Sequence, residues 1–283
     1  MNQEMPIWRR TIPESRDKAQ SKMLTWVVGV LLMFGAFAPL IAAAKLSLPL
    51  WPLGRPFLFS AAFAALVLAL RAATPAASAI GFLICFILAQ APAEWSRYTP
   101  GAVARPLWPA LLVVFILTFA ATRYGRARKE SRGLSESRRG RRASQIVANL
   151  GVAGLFAAAG HYEGCIVALA EAAADTVSSE IGQATGHPAR LLTTGKVVAP
   201  GTNGGVTLAG TLAGLAAAAI VVGIGTMHLL SWRPLGTMWI AAAAGLFFDS
   251  LLGATLERRG LLGNDLVNFA STLFAASIAS VLR

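Results

Sequence analysis

The chain has 283 residues, 55% of them hydrophobic against 13% charged, and a mean hydropathy of +0.60. Its net charge of +12 lies mostly in two hydrophilic stretches, which reads as a membrane-topology signal and argues against a nucleic-acid footprint. The two cysteines, Cys85 and Cys165, sit in apolar segments without ligand-spaced partners, which excludes a disulfide framework and a zinc site.

Apolar runs of about 20 residues recur, the length that crosses a bilayer as a helix. They fall near residues 23–44, 56–71, 75–93, 106–122, 145–160, 163–178, 204–230, 236–253 and 265–282. This pattern predicts an all-α, polytopic transmembrane helical bundle of about nine spans, within a range of eight to ten. The second and sixth spans are the weakest, one blurred by "LPLWPLGRP" and the other short and ending in polar residues.

Residues 1–22 form a basic segment with Arg9, Arg10, Arg16, Lys18 and Lys22, followed by a span too long for the apolar core of a cleaved signal peptide. Residues 23–122 supply four spans almost without internal polar groups beyond Ser and Thr, a scaffold half. Residues 123–142 hold Arg123, Arg126, Arg128, Lys129, Arg132, Arg138, Arg139, Arg141 and Arg142 against Glu130 and Glu136. The positive-inside rule places that loop and the N-terminus in the cytoplasm, and four intervening spans agree with that placement. The expected location is a multi-pass protein of the inner, cytoplasmic membrane of a bacterium.

Residues 143–283 form the functional half, because every intramembrane acid lies there. On the sixth span and its continuation, Glu171, Asp175 and Ser178 or Ser179 share one helix face, and Glu180 follows. Carboxylates at such depth need pairing, water or a cation, so they point to function; ordinary helix-end acids facing water are the competing reading. Next, "TTGKVVAPGTNGG" puts Lys196 before a Gly-rich turn, Gly201, Thr202, Asn203, Gly204 and Gly205, that opens into the seventh span. Such a turn can present several N–H groups to a phosphate, with Lys196 as point charge, or it can be a plain interfacial turn. Gly210 and Gly214 read as a helix-packing face.

Asp249 in "GLFFDSLLGA" has no partner along its own helix, and a divalent cation shared with Asp175 or Glu180 would supply one. An ion pair with Lys196 or Arg258 is the alternative. Asn264, Asn268 and Ser271 form a polar stripe on the last span, and Asn149 opens the fifth; for Asn149, Asn264 and Asn268, substrate contact and interhelical hydrogen bonding stand equal. The three histidines form no cluster, and no G-x-S-x-G is present, which leaves serine-hydrolase chemistry unsupported.

Taken together, "RRASQIVANLG", "ADTVSSEIG", "GTNGGVTLAGTLAG", "FFDSLLGA" and "NDLVNFAS", in this order and preceded by "RAATPAASAIGFLICFI", resemble the integral-membrane family called domain of unknown function 92. That family includes transmembrane protein 19 and the plant phytyl-phosphate kinase. The resemblance implies transfer of a phosphoryl group from a nucleoside triphosphate, with CTP the favoured donor, to an isoprenyl monophosphate. Asp175, Ser179, Glu180, Lys196, Gly201, Thr202, Gly204, Gly205, Asp249, Asn264 and Asn268 match the family pattern, whereas Asp265 stands where Asn is usual.

Residue reading and resemblance meet on a Mg2+-dependent phosphotransferase at the cytoplasmic interface, with Asp175, Glu180 and Lys196 catalytic and Asp175, Glu180 and Asp249 holding the metal. Its partners would be the bilayer and an isoprenoid phosphate, with no nucleic acid. An ion-coupled transporter is the first rival and a non-catalytic membrane protein the second. The nearly uniform Ala, Leu, Val, Gly and Phe at the outer ends of the last five spans disfavours transport.

Overall fold

The computed structural model describes residues 12–47, 50–90, 106–134, 140–229 and 235–281, so Arg9, Arg10, Glu136, Arg138 and Arg139 lie outside the described residues. The helices, in chain order, are α1 (Glu14–Lys45), α2 (Gly54–Ala69), α3 (Pro75–Ala89), α4 (Trp108–Arg123), the short α5 (Arg126–Ser131), α6 (Ala143–Ala158), α7 (Tyr162–Thr185), α8 (Leu208–His228), α9 (Leu235–Leu252) and α10 (Asn264–Val281). Apart from α5, each falls on one of the expected apolar segments. Four, namely α1, α2 with the turn before it, α8 and α9 with the turn after it, are long and apolar enough to cross a membrane by length and composition. The protein is an all-α integral membrane bundle, and large apolar side chains such as Trp26, Phe34 and Leu58 project outward from it.

Local sequence explains several helix ends. Thr74 accepts a hydrogen bond from the Ala77 amide at 3.3 Å, and Pro75 occupies the first turn, so α3 starts there. Thr207 does the same for α8 through the Gly210 amide at 3.1 Å. Helix α7 stops at Gly186, whose φ of 73° is the left-handed conformation that ends helices.

The expected sixth span, short by sequence, is the 24-residue α7 at the centre of the bundle. It touches α4, α6, α8, α9 and α10, and residues 164–174 are all buried. Its run of Ala, Gly and Cys makes a thin helix that neighbours can approach closely, the way helices associate in lipid. The closest approach is α8: a Cβ on Gly214 would stand 2.6 Å from the Ala174 carbonyl oxygen, and one on Gly210 would collide with the Ser178 carbonyl oxygen. One apolar core contains side chains from α1, α3 and α4 as well as from α6 to α10, so these helices of the two halves share their interior.

Between α7 and α8 the chain forms a small antiparallel sheet of β1 (Ala189–Leu191), β2 (Val197–Val198) and β3 (Gly205–Val206), ordered β2-β1-β3. The sequence reading has only turns here, since strands of two or three residues leave no alternation to detect.

One end of the bundle gathers the polar segments. There α1 docks on the connection between α9 and α10: Arg16 Nη1 donates to the Gly260 carbonyl (3.2 Å), Gln20 Nε2 to Leu261 (2.9 Å), and the Gly263 amide to Gln20 Oε1 (2.8 Å). Ser21 Oγ donates to Asp265 Oδ2 at 2.6 Å. The basic loop reaches the same end, where Arg128 Nη1 donates to the Ala184 carbonyl at 2.7 Å near the end of α7.

Candidate functional site

A polar cavity of about 240 Å3 opens at this end, walled by α6, α7, α9 and α10 and roofed by residues 200–207. Asp175 from α7 and Asp249 from α9 both line it and act on each other electrostatically, as the Arg141 guanidinium does on Asp175. Ser271 Oγ lies 3.2 Å from Asp249 Oδ1 and 2.9 Å from the Asn268 carbonyl, two acceptors for its single proton. The pair therefore comes from two helices far apart in sequence. Two buried carboxylates this close need a proton or a cation between them.

The asparagines tie the walls together. Asn268 Nδ2 lies 3.4 Å from Asn149 Oδ1, linking α10 to α6, and Asn149 Nδ2 donates to the Gln145 carbonyl at 2.9 Å. Both line the cavity, so the residues that hydrogen-bond between helices also face its interior. Asn264 lines the cavity from the exposed start of α10.

The turn from Gly201 to Gly205 lies over the acids. Thr202 is fixed by its amide (3.2 Å) and hydroxyl (2.7 Å) to the Ala199 carbonyl, and the Gly205 amide donates to Thr202 at 2.9 Å. Among the described residues, no hydrogen bond uses the amides of Gly201, Asn203 and Gly204. Gly204 has φ +72°, and a Cβ there would run into the backbone of Ala254, in the π-helical turn Gly253–Glu257 that ends α9. The glycine is therefore required twice, for its backbone angle and for close approach. π-helical turns of this kind recur at functional sites. Ser179 and Glu257 complete the wall.

Two expected residues differ from the sequence reading, one in its place and the other in its partner. Lys196 is exposed at the β1–β2 connection and does not line the cavity; the lining cation among the described residues is Arg141. Glu180 lines the cavity, yet its carboxylate is ion-paired with the buried Lys129 of α5. Sequence reasoning assigned Arg141 and Lys129 to topology alone, and nothing in a run of nine basic residues marks those two. Arg141 is fixed by backbone pairing with the segment that leads into α3: its amide donates to the Ala72 carbonyl at 2.9 Å and its carbonyl accepts from the Thr74 amide at 3.0 Å.

Among the described residues, no three His, Cys, Asp or Glu side chains are arranged to hold an ion. Mg2+ commonly takes one or two carboxylates and fills its remaining positions with phosphate oxygens and water. The Asp175–Asp249 pair fits an ion that arrives with a polyphosphate. Below the pair, Glu171 is 1% exposed and both its oxygens lack a hydrogen-bond partner, the nearby Ser271 hydroxyl being committed to Asp249 and Asn268.

The fold and cavity define a multi-pass helical membrane protein with an acidic, glycine-roofed pocket at one end. The chain belongs to the family described as "Integral membrane protein DUF92", whose model matches residues 58–276. It is 33% identical over 181 residues to an uncharacterized membrane protein of Methanocaldococcus jannaschii, covering 61% of this chain and 74% of that one. It is 34% identical over 188 residues to an uncharacterized membrane protein of Synechocystis sp., covering 61% and 73%. With "Protein VTE6, chloroplastic" of Arabidopsis thaliana it shares 31% identity over 186 residues, covering 60% of this chain and 56% of the plant protein. No solved structure matches the chain.

Proposed function

We propose that the chain is a phosphotransferase that passes the γ-phosphoryl group of a nucleoside triphosphate, CTP by preference, to an isoprenyl or phytyl monophosphate at the cytoplasmic membrane interface. The observation that carries this reading is the meeting of Asp175 and Asp249 in a cavity roofed by the Gly201–Gly205 turn and lined by Arg141. Acids beneath a glycine-rich turn with amides unused among the described residues suit a cation bound to polyphosphate.

In the proposed step, a non-bridging oxygen of the acceptor monophosphate bonds to the γ-phosphorus. The bond from that phosphorus to the β,γ-bridging oxygen breaks, giving the lipid diphosphate and a nucleoside diphosphate. A phosphate monoester is already largely ionised at neutral pH, its second pKa being about 6. No general base is required, consistent with a site built without histidine. Catalysis then reduces to positioning and charge neutralisation. Asp175 and Asp249 would hold Mg2+, which when bound neutralises phosphate oxygens. The turn amides orient the donor phosphates, Arg141 balances charge on the transferred group, and Asn149 and Asn268 fix the cavity wall. Glu180 and Lys129 brace α7 against α5.

The transporter reading needs a polar path to the far side. Beyond Glu171, residues 164–170 of α7 are buried in apolar packing, which supports a pocket entered from one end.

Equilibrium binding of labelled CTP and ATP to the purified chain in nanodiscs tests this reading. Mg2+-dependent binding weakened at least about tenfold by Asp249→Asn is the expected result. Binding indifferent to both Mg2+ and the substitution would remove its basis.

A further inference from the structure

A second cavity, of about 520 Å3, lies between α2, α3, α4 and α6, within the size range of small-molecule sites. Its wall is apolar over most of its extent, with Phe63, Val67, Leu111, Val114, Phe115 and Leu150. The remainder is strongly basic: Arg71, Arg123, Arg126 and Arg141 line it, with Glu130 the only acid among the described residues. Arg126 is paired with Glu130 at 3.0 Å, and Arg123 lies over the Phe119 ring at 4.1 Å. Two residues, Arg141 and Asn149, line this cavity and the acidic one alike, so the two spaces adjoin at that point.

Two further features mark the cavity as a binding site. Ser78 is 3% exposed and lines it, and the Ser78 hydroxyl has no hydrogen-bond partner, a cost that a ligand oxygen would remove. Gly81 also lines it, and a Cβ added there meets nothing within 4 Å, so the glycine keeps space open without helping helices pack.

We propose that this cavity holds the hydrocarbon tail of a single-chain amphiphile whose monophosphate head lies at Arg141 and Asn149, where the two cavities join. The identity of the occupant as acceptor rests on the phosphotransferase reading; the seat itself rests on the basic end, the apolar wall and the orphaned hydroxyl. Three helices of the first half, α2, α3 and α4, thereby set chain-length preference. The sum of charges at the mouth matches a phosphate, and the apolar wall matches a chain and rejects a second polar group.

The test is photolabelling of the full chain in nanodiscs with a photoreactive farnesyl monophosphate, competed by geranyl, geranylgeranyl and phytyl monophosphate and by two-chain phosphatidic acid. The expected label falls on α2, α3, α4 or α6, geranylgeranyl monophosphate competes, and phosphatidic acid at equal concentration does not. Gly81→Leu should weaken geranylgeranyl monophosphate by at least about tenfold and geranyl monophosphate by less than about threefold, with Gly81→Ala as the folding control. Label confined to other helices, equal competition by phosphatidic acid, or an unchanged length preference in a folded Gly81→Leu protein would overturn the proposal. The two readings fail separately. Length-dependent binding without phosphate transfer from any nucleotide leaves the tail site and removes the kinase; transfer with label confined elsewhere does the reverse.

Discussion

Lys129 of α5 is ion-paired with Glu180 of α7 where the two side chains are 1% and 10% exposed. The same ammonium donates to the Thr122 carbonyl at 2.8 Å and the Ala121 carbonyl at 3.3 Å, closing the C-terminal end of α4. Removing one partner of a buried pair strands the other charge and costs about 3–5 kcal/mol. Lys129→Met should therefore lower the melting temperature strongly in detergent, and adding Glu180→Leu should recover most of the loss. A Lys129→Met protein as stable as the wild type would show that the pair does not brace the helices.

Arg141 stands at the cavity where the sequence reading put Lys196. Arg141 lines the acidic cavity and Lys196 is exposed outside it. Arg141→Gln is expected to lower kcat/KM for transfer by at least about tenfold, equivalent to ~1.4 kcal/mol, while Lys196→Ala changes it by less than about twofold. Steady-state kinetics of the two variants side by side decide the assignment.

Gly204 joins the turn to the end of α9. Any side chain there must accept φ +72° and displace Ala254. The strain alone is about 1–3 kcal/mol, and relieving the collision moves the turn away from the acids. Gly204→Ala should lower stability and nucleotide affinity together. Gly195, also at positive φ (+66°) but with open space around it, is the contrast: Gly195→Ala should leave nucleotide affinity unchanged.

Ser21 and Asp265 connect α1, which precedes the family-matched residues, to the start of α10. Asp265 departs from the Asn that the family resemblance leads one to expect, and here the carboxylate accepts from a serine on a helix that the match does not include. Ser21→Ala should cost about 1.5–3 kcal/mol of stability, the range for a hydrogen bond to a charged group. Thermal melting of Ser21→Ala against Asp265→Asn checks this, with the asparagine variant expected to lose less because it can still accept from Ser21.

Much of this was legible in the sequence because lipid imposes a strong pattern: the all-α membrane class and the approximate helix bounds followed from the apolar runs. Asp175, Asp249 and the Gly201–Gly205 turn stood out because carboxylates and glycine clusters are conspicuous in an apolar chain. What was hidden depended on three-dimensional proximity. Helix α7 looked like a short span with a polar end, yet its small residues make it the hub. Glu180 looked equivalent to Asp175, but only the fold shows Lys129 reaching it across the membrane end. Arg141 was one basic residue among many, and its place beside the acids comes from backbone pairing with Ala72 and Thr74. The cavity lined by α2 to α4 was invisible, since an apolar residue beside a cavity reads the same as one packed in a core.

The central claim is phosphoryl transfer across the Asp175–Asp249 pair. The most direct measurement is transfer of labelled phosphate from CTP or ATP, with Mg2+, to phytyl, geranylgeranyl and farnesyl monophosphate by the purified chain, beside Asp175→Asn and Asp249→Asn. The account predicts a lipid diphosphate from the wild type and a loss of at least about a hundredfold in each variant, equivalent to ~2.7 kcal/mol of transition-state stabilisation. Absence of diphosphate with every donor from a folded protein, or full activity in both variants, would contradict it.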